Sequence, residues 1–194
     1  MIFEKLKKYH VILASASPRR KQLLKAMGIE FEVRPKPVDE QFPAGFTPDA
    51  VAEYLSRKKA DAFLDEINET MLLITADTVV SLDGRILGKP SGSVEAAAIL
   101  QELSGKIHKV ITGVTLKSIT KQTTFSVSTD VTFKVLSPWE IDYYINTYKP
   151  FDKAGAYGIQ EWIGHVAIER IDGSYFNVMG LPTHRLYEEL LRFV

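Results

Sequence analysis

Val11-Ile12-Leu13-Ala14-Ser15-Ala16-Ser17-Pro18-Arg19-Arg20 is the stretch from which the fold can be read. Val11 to Ala14 form a short apolar run, the signature of a buried strand. Ser17 is a good helix N-cap, and Pro18 suits the first helical position. Leu23, Leu24 and Met27 then give the helix an apolar side, and Gly28 ends it. A strand running directly into a helix leaves free N–H groups and a partial positive charge at the junction, which suits an anion. Arg19 and Arg20 stand in the first turn, where cations are mildly unfavourable unless an anion arrives. The other reading is a capped helix with two solvated arginines.

Outward from this unit, the pattern predicts a strand over 31–33, a Pro- and Gly-rich loop over 41–48 and a helix over 48–67. A third apolar strand over 71–76 is expected to stop at Asp77. Strands over 79–82 and 85–87 flank Asp83-Gly84, a hairpin signal. A helix over 93–103 is followed by strands over 110–117 and 123–135. Ser137-Pro138-Trp139-Glu140 reads as a capping box opening a helix to about Thr147. A loop over 149–164, a hairpin around Asp172-Gly173 and a terminal helix from Pro182 to Arg192 complete the chain. Helices and strands alternate early and strands dominate after 106, so the class is α/β with a mixed twisted sheet and flanking helices. No linker divides the 194 residues, and one domain over 1–194 is expected.

Composition narrows the chemistry. Apolar residues make up 45% and charged residues 25%, an ordinary soluble balance, and the formal net charge is zero. No global field draws in nucleic acid or an anionic membrane, so a polyanion must be held by a local cluster. The absence of cysteine excludes a thiol nucleophile, a disulfide framework and a zinc thiolate site, and suits a reducing compartment. The apolar run at 11–14 is too short for a signal peptide, and nothing approaches the roughly 20 residues of a membrane span. The sequence has no G-x-x-x-x-G-K-[ST] loop, no G-x-G-x-x-G and no G-x-S-x-G elbow. His10, His108, His165 and His184 lack metal-ligand spacing.

Three further positions bear on a site. On the helix over 48–67, Ala52, Leu55, Ala62 and Phe63 fall on one arc, and Lys59 sits in its middle. A lysine there either snorkels to solvent or meets an anion. Asp77, and Asp39-Glu40, follow apolar strands, where ligands gather in α/β sheets. These carboxylates suit Mg²⁺ or the activation of a water. Alternatively they cap turns and helices. Together with Arg19, Arg20, Lys59 and Lys89 they make a mixture suited to a metal-bound triphosphate.

Eight segments in order resemble the Maf family of nucleotide pyrophosphatases: ASASPRR at 14–20, VDE at 38–40, RKKA at 57–60, ADTVV at 76–80, GKP at 88–90, SGKIHKVITGV at 104–114, DKAGAYGIQ at 152–160 and GSYFNVMGLP at 173–182. The resemblance implies an elongated two-lobed α/β fold with a central cleft, similar to inosine-triphosphate pyrophosphatases. It implies cleavage of a nucleoside triphosphate between the α and β phosphates, a divalent cation (Mg²⁺, Mn²⁺ or Co²⁺), a homodimer and a cytoplasmic setting. By motif position, Asp77 is the expected proton acceptor and Glu40 a metal- or water-positioning carboxylate, so the metal would lie on Glu40 and Asp77. Ser15, Arg19, Arg20, Lys59, Lys89 and Lys153 are the expected substrate contacts. The 152–160 segment resembles the group acting on dTTP and UTP, in which Arg19, Thr78 and Gln160 would set specificity. A glutamine amide has both a donor and an acceptor, which suits the edge of uracil or thymine. Glu161-Trp162 departs from the Gly-rich continuation common after this motif. Two rivals remain at this stage: a pyrophosphatase for other modified nucleotides, and a nucleotide-binding regulator of cell division or septum formation without turnover.

Overall fold

A computed structural model describes residues 2–194. Its centre is a seven-stranded mixed sheet in the order β2-β1-β3-β5-β6-β7, with β4 paired to β3 off this path. The first elements are α1 (Ile2–Leu6), β1 (His10–Leu13), α2 (Pro18–Ala26), β2 (Glu32–Val33) and α3 (Pro48–Asp61). Then come β3 (Met71–Leu82), β4 (Arg85–Leu87), α4 (Ser93–Leu103), β5 (Ile107–Lys117), β6 (Gln122–Phe133) and α5 (Pro138–Tyr148). A 3₁₀ turn (Ala154–Ala156), α6 (Trp162–Val166), β7 (Ile168–Asp172), α7 (Tyr175–Met179) and α8 (Thr183–Phe193) close the chain. β1 runs parallel to both β2 and β3, and the remaining pairings are antiparallel.

Local signals in the sequence set most boundaries. Ser17 caps α2, its Oγ accepting from the Arg20 N–H, with Pro18 in the first turn. Ser137 and Glu140 form the reciprocal capping box of α5. Leu186, Leu190 and Phe193 of α8 share one buried stripe, as i, i+4 and i+7 positions must.

Four expectations need correction. The strand holding Asp77 does not stop there: β3 continues unbroken to Leu82, so Asp77 lies inside it. Pairing with β5 from Leu73 to Ser81 keeps the backbone hydrogen-bonded through the charged residue, and a lysine partner satisfies the carboxylate. Asp172-Gly173 makes no hairpin. β7 ends at Asp172, and Ser174 caps α7 by accepting from the Asn177 N–H, so the chain turns into a helix. The expected loop over 149–164 contains the 3₁₀ turn and the start of α6. The helix expected over 48–67 gives way to turns after Asp61.

The sheet face under α3 carries Val79 and Ile111, packed with Val51, Ala52 and Leu55. The other face carries Ala76, Val80, Val110 and Val114, which join the main core with α2, α4, α5 and α8. α3 lies hard against β5 at Gly113, where an added Cβ would sit 2.2 Å from the Ala52 carbonyl oxygen. Only a residue without a side chain lets the helix approach so closely.

Candidate active site

β1 pairs with β3 only as far as Leu13 opposite Ile74, then turns away into α2. β4 rejoins β3 at Val80. Among the described residues, Thr75 to Val79 therefore have a strand partner only on the β5 side. A cavity of about 350 Å³ opens at this gap, lined by the 15–20 segment, both faces of β3 and the 152–160 segment. Neighbouring residues in a strand point to opposite faces. Asp77 thus turns toward α3 and Thr78 toward α2, and the split edge lets one cavity touch both.

On the α3 side, Lys59 ties the carboxylates together. Its Nζ donates to Glu40 Oε1 at 2.9 Å and forms a short contact with Asp77 Oδ1. Lys89 Nζ holds the second oxygen of Glu40 at 2.8 Å. Burial opposes charge on Glu40, but the hydrogen bonds from Lys89 and Lys59 outweigh it and hold its carboxyl down to about 2. Asp77 is buried, only 7% exposed, while Lys89 faces the opening. The inward position read for Lys59 is realised: it meets carboxylates rather than snorkelling into solvent.

On the α2 side, Arg20 spends three donors on protein. Nε donates to the Gly180 carbonyl at 2.8 Å, Nη1 to Ser15 Oγ at 3.3 Å and Nη2 to Thr78 Oγ1 at 2.9 Å. Thr78 Oγ1 lies 2.9 Å from Thr112 Oγ1, which donates to the Asn177 carbonyl at 3.1 Å. Each hydroxyl has one proton, so the bonds run one way, from Arg20 through Thr78 and Thr112 to Asn177. Burial, with Arg19 alongside, draws the Arg20 pKa below its ordinary value, against the pull of Asp77 and Glu40. Arg19 is freer, with one carboxylate, Asp152, at 4.0 Å. Both arginines expected at the cleft line the cavity: Arg20 braces the wall with three of its five N–H donors, and Arg19 is less tied to the protein.

The third wall is the 152–160 segment. Lys153 is buried, its Nζ 2.7 Å from Asp152 Oδ1 and 3.1 Å from Glu161 Oε1. Gln160 lines the cavity, and its buried Oε1 has no hydrogen-bond partner among the described residues. A buried amide oxygen left unpaired costs about 1–3 kcal/mol, so a ligand donor there would be rewarded. Ser15, Arg19, Arg20, Glu40, Lys59, Asp77, Thr78, Lys89, Lys153 and Gln160 all line this one cavity. The residues missed from sequence are those that brace them: Thr112, Asn177 and Gly180, which lay unremarked inside quoted motifs, and Tyr144, which carries no local signal.

A cavity of this size, with lysines and arginines on its walls and two carboxylates tethered to one lysine in its lining, is chemically suited to a phosphate ligand. The full sequence says which kind of protein carries it. Residues 10–193 match the family described as Maf-like protein, and the chain belongs to the Maf family. It is 52% identical over 195 residues to a dTTP/UTP pyrophosphatase of Porphyromonas gingivalis, covering 99% of this chain and 98% of that one. It is 52% identical over 186 residues to a dTTP/UTP pyrophosphatase of Bacteroides thetaiotaomicron, covering 95% and 96%. With the protein of that name from Flavobacterium johnsoniae it shares 47% over 194 residues, the whole of both chains. Among solved structures, the Staphylococcus aureus Ham1 protein aligns with 64% of this chain and 71% of its own, at 14% identity and a TM-score of 0.46.

Proposed function

We propose that this chain is a nucleoside triphosphate pyrophosphatase that hydrolyses dTTP and UTP, and modified pyrimidine relatives, to the nucleoside monophosphate and pyrophosphate. The observation that carries the reading is the pairing of Asp77 and Glu40 on one lysine in the wall of a cationic cavity. Names of relatives near 50% identity over nearly their full length support the same substrates.

Arg19, Lys59, Lys89 and Lys153, with Ser15 and the start of α2, would receive the triphosphate. Asp77 would take the proton of the attacking water, so that oxygen bonds to phosphorus as the α–β bridging bond breaks and pyrophosphate leaves. Fixed cations that meet the developing phosphate charge supply most of the expected acceleration. Gln160 Oε1 would accept the N3–H of uracil or thymine, a proton that cytosine lacks. Thr78 would set the pocket shape through Arg20, and Arg19 would approach from the α2 side.

The donor set fits a divalent cation. Glu40 and Asp77 offer hard oxygen ligands, both now held by the Lys59 ammonium, and a cation there would take its remaining ligands from elsewhere. That fits an ion such as Mg²⁺, Mn²⁺ or Co²⁺ shared with substrate phosphates, as Mg²⁺ commonly is. When bound, it would neutralise phosphate charge. The family resemblance also supports a homodimer and a cytoplasmic setting. Among the described residues no helix is long and apolar enough to cross a membrane.

The test is incubation with dTTP, UTP, CTP and modified nucleotides in Mg²⁺, Mn²⁺ or Co²⁺, with every product identified. Monophosphate and pyrophosphate from dTTP and UTP are expected. Orthophosphate release overturns the reaction. Tight binding with no turnover in any metal points instead to a regulatory binder.

A further inference from the structure

Gln160 stands in a turn that is clamped from outside the cleft. Tyr144, fully buried on α5, accepts the Gly158 N–H at 3.0 Å and donates to Glu161 Oε2. The Glu161 N–H closes the turn by donating to the Gly158 carbonyl at 3.0 Å. The Glu161 carboxylate lies over Gly158, where an added Cβ would sit 2.9 Å from Cδ. Its other oxygen, Oε1, holds Lys153 Nζ at 3.1 Å. Burial and the Glu161 carboxylate both raise the Tyr144 pKa, so the phenol stays a donor. Ile159, inside the turn, is anchored in the core.

A free glutamine amide can rotate by half a turn and exchange its donor and acceptor. It then serves cytosine as readily as uracil. A fixed backbone sets where that amide stands, and a Gln160 Oε1 held at the base edge meets the N3–H of uracil but the bare N3 of cytosine. We propose that Glu161, locked by Tyr144, is a positioning residue for base selection, holding the Gly158–Glu161 turn so that Gln160 Oε1 stays at the base edge and tethering Lys153 at the same wall. Glu161 is also where this sequence leaves the Gly-rich pattern. The inference rests on the reading of the chain as a nucleoside triphosphate pyrophosphatase.

The test compares wild type, Tyr144→Phe, Glu161→Gln and Glu161→Ala on UTP, dTTP, CTP and dCTP in Mg²⁺, with thermal melting alongside. Tyr144→Phe and Glu161→Ala are expected to narrow the UTP-to-CTP preference about tenfold, the equivalent of one lost hydrogen bond. The change should come through a higher KM for UTP, with kcat largely kept. Glu161→Gln retains an acceptor for Tyr144 and should keep most of the preference. If Glu161→Ala does not fold, Tyr144→Phe and Glu161→Gln carry the test, because both preserve shape. Equal losses on all four nucleotides, or wild-type preference in Tyr144→Phe, overturn the inference and leave the functional reading intact. A wild type that turns over none of the four, or releases orthophosphate, overturns both.

Discussion

Arg20 Nη2 donates to Thr78 Oγ1 at 2.9 Å, joining the first turn of α2 to the middle of β3 across 58 residues of sequence. The same guanidinium reaches Gly180 after α7, so one side chain fastens three separate segments around the cleft. Arg19, its neighbour, has no comparable set of bonds among the described residues, where its one ion-pair partner is Asp152 at 4.0 Å.

That contrast separates the two arginines experimentally. Arg20→Ala should lower stability by about 2–3 kcal/mol, the scale of charged hydrogen bonds left unmade. Arg19→Ala should leave stability nearly unchanged and raise KM for the triphosphate. Urea denaturation and steady-state kinetics on the same two variants check both halves.

Asp77→Asn tests the proton acceptor. Loss of a general base costs about 10²–10⁴ in rate. A drop of that size in kcat is expected, with the fold intact because Lys59 keeps Glu40 as partner. Full turnover in the variant would remove Asp77 from the mechanism.

Lys59→Met strands a buried carboxylate. Asp77 would lose its short-range counter-ion, and breaking such a pair from one side costs about 3–5 kcal/mol. The double variant Lys59→Met with Asp77→Asn removes the charge as well and should recover most of that loss. Calorimetry on the two single variants and the double variant measures the coupling.

His108 sets an acid limit on stability. It is buried on β5, edge-on to Phe133 and Tyr157, with Nε2 2.8 Å from the Tyr157 hydroxyl. Burial lowers its pKa from 6.5 to about 4, although Asp130 pulls the other way. The unfolded chain therefore binds the proton first as pH falls. Its contribution is fully present above about 6.5 and is lost progressively between 6.5 and 4. The loss amounts to roughly 3 kcal/mol at most. His108→Phe should flatten the slope of stability against pH in that window, measured by denaturant titration at stepped pH.

Much of this was legible because it is local. The caps at Ser17 and Ser137, the helix at 93–103 and the inward Lys59 depend on residues within a turn or two of one another. Asp77 reads as a strand end in the sequence because a carboxylate in an apolar run looks like a break. Its counter-charge comes from α3, and its backbone partners come from β5. The 172–173 hairpin failed for a related reason. Asp172 is still in β7, the chain bends at Gly173, and the cap at Ser174 starts a helix instead of a returning strand.

The sequence by itself determined the α/β alternation, the strand-to-helix junction at Ser15 to Arg20 and the residue types that gather at the cleft. These follow from periodicity, capping chemistry and motif order, all carried along the chain. The tertiary structure decided the division of labour. It showed that the split edge of β3 exposes Asp77 and Thr78 to one cavity from opposite faces, and that Arg20 braces while Arg19 is less tied to the protein. It also placed Tyr144 beneath the Gln160 turn. Such roles depend on which buried donor meets which acceptor, and that pairing exists only once distant segments are packed together.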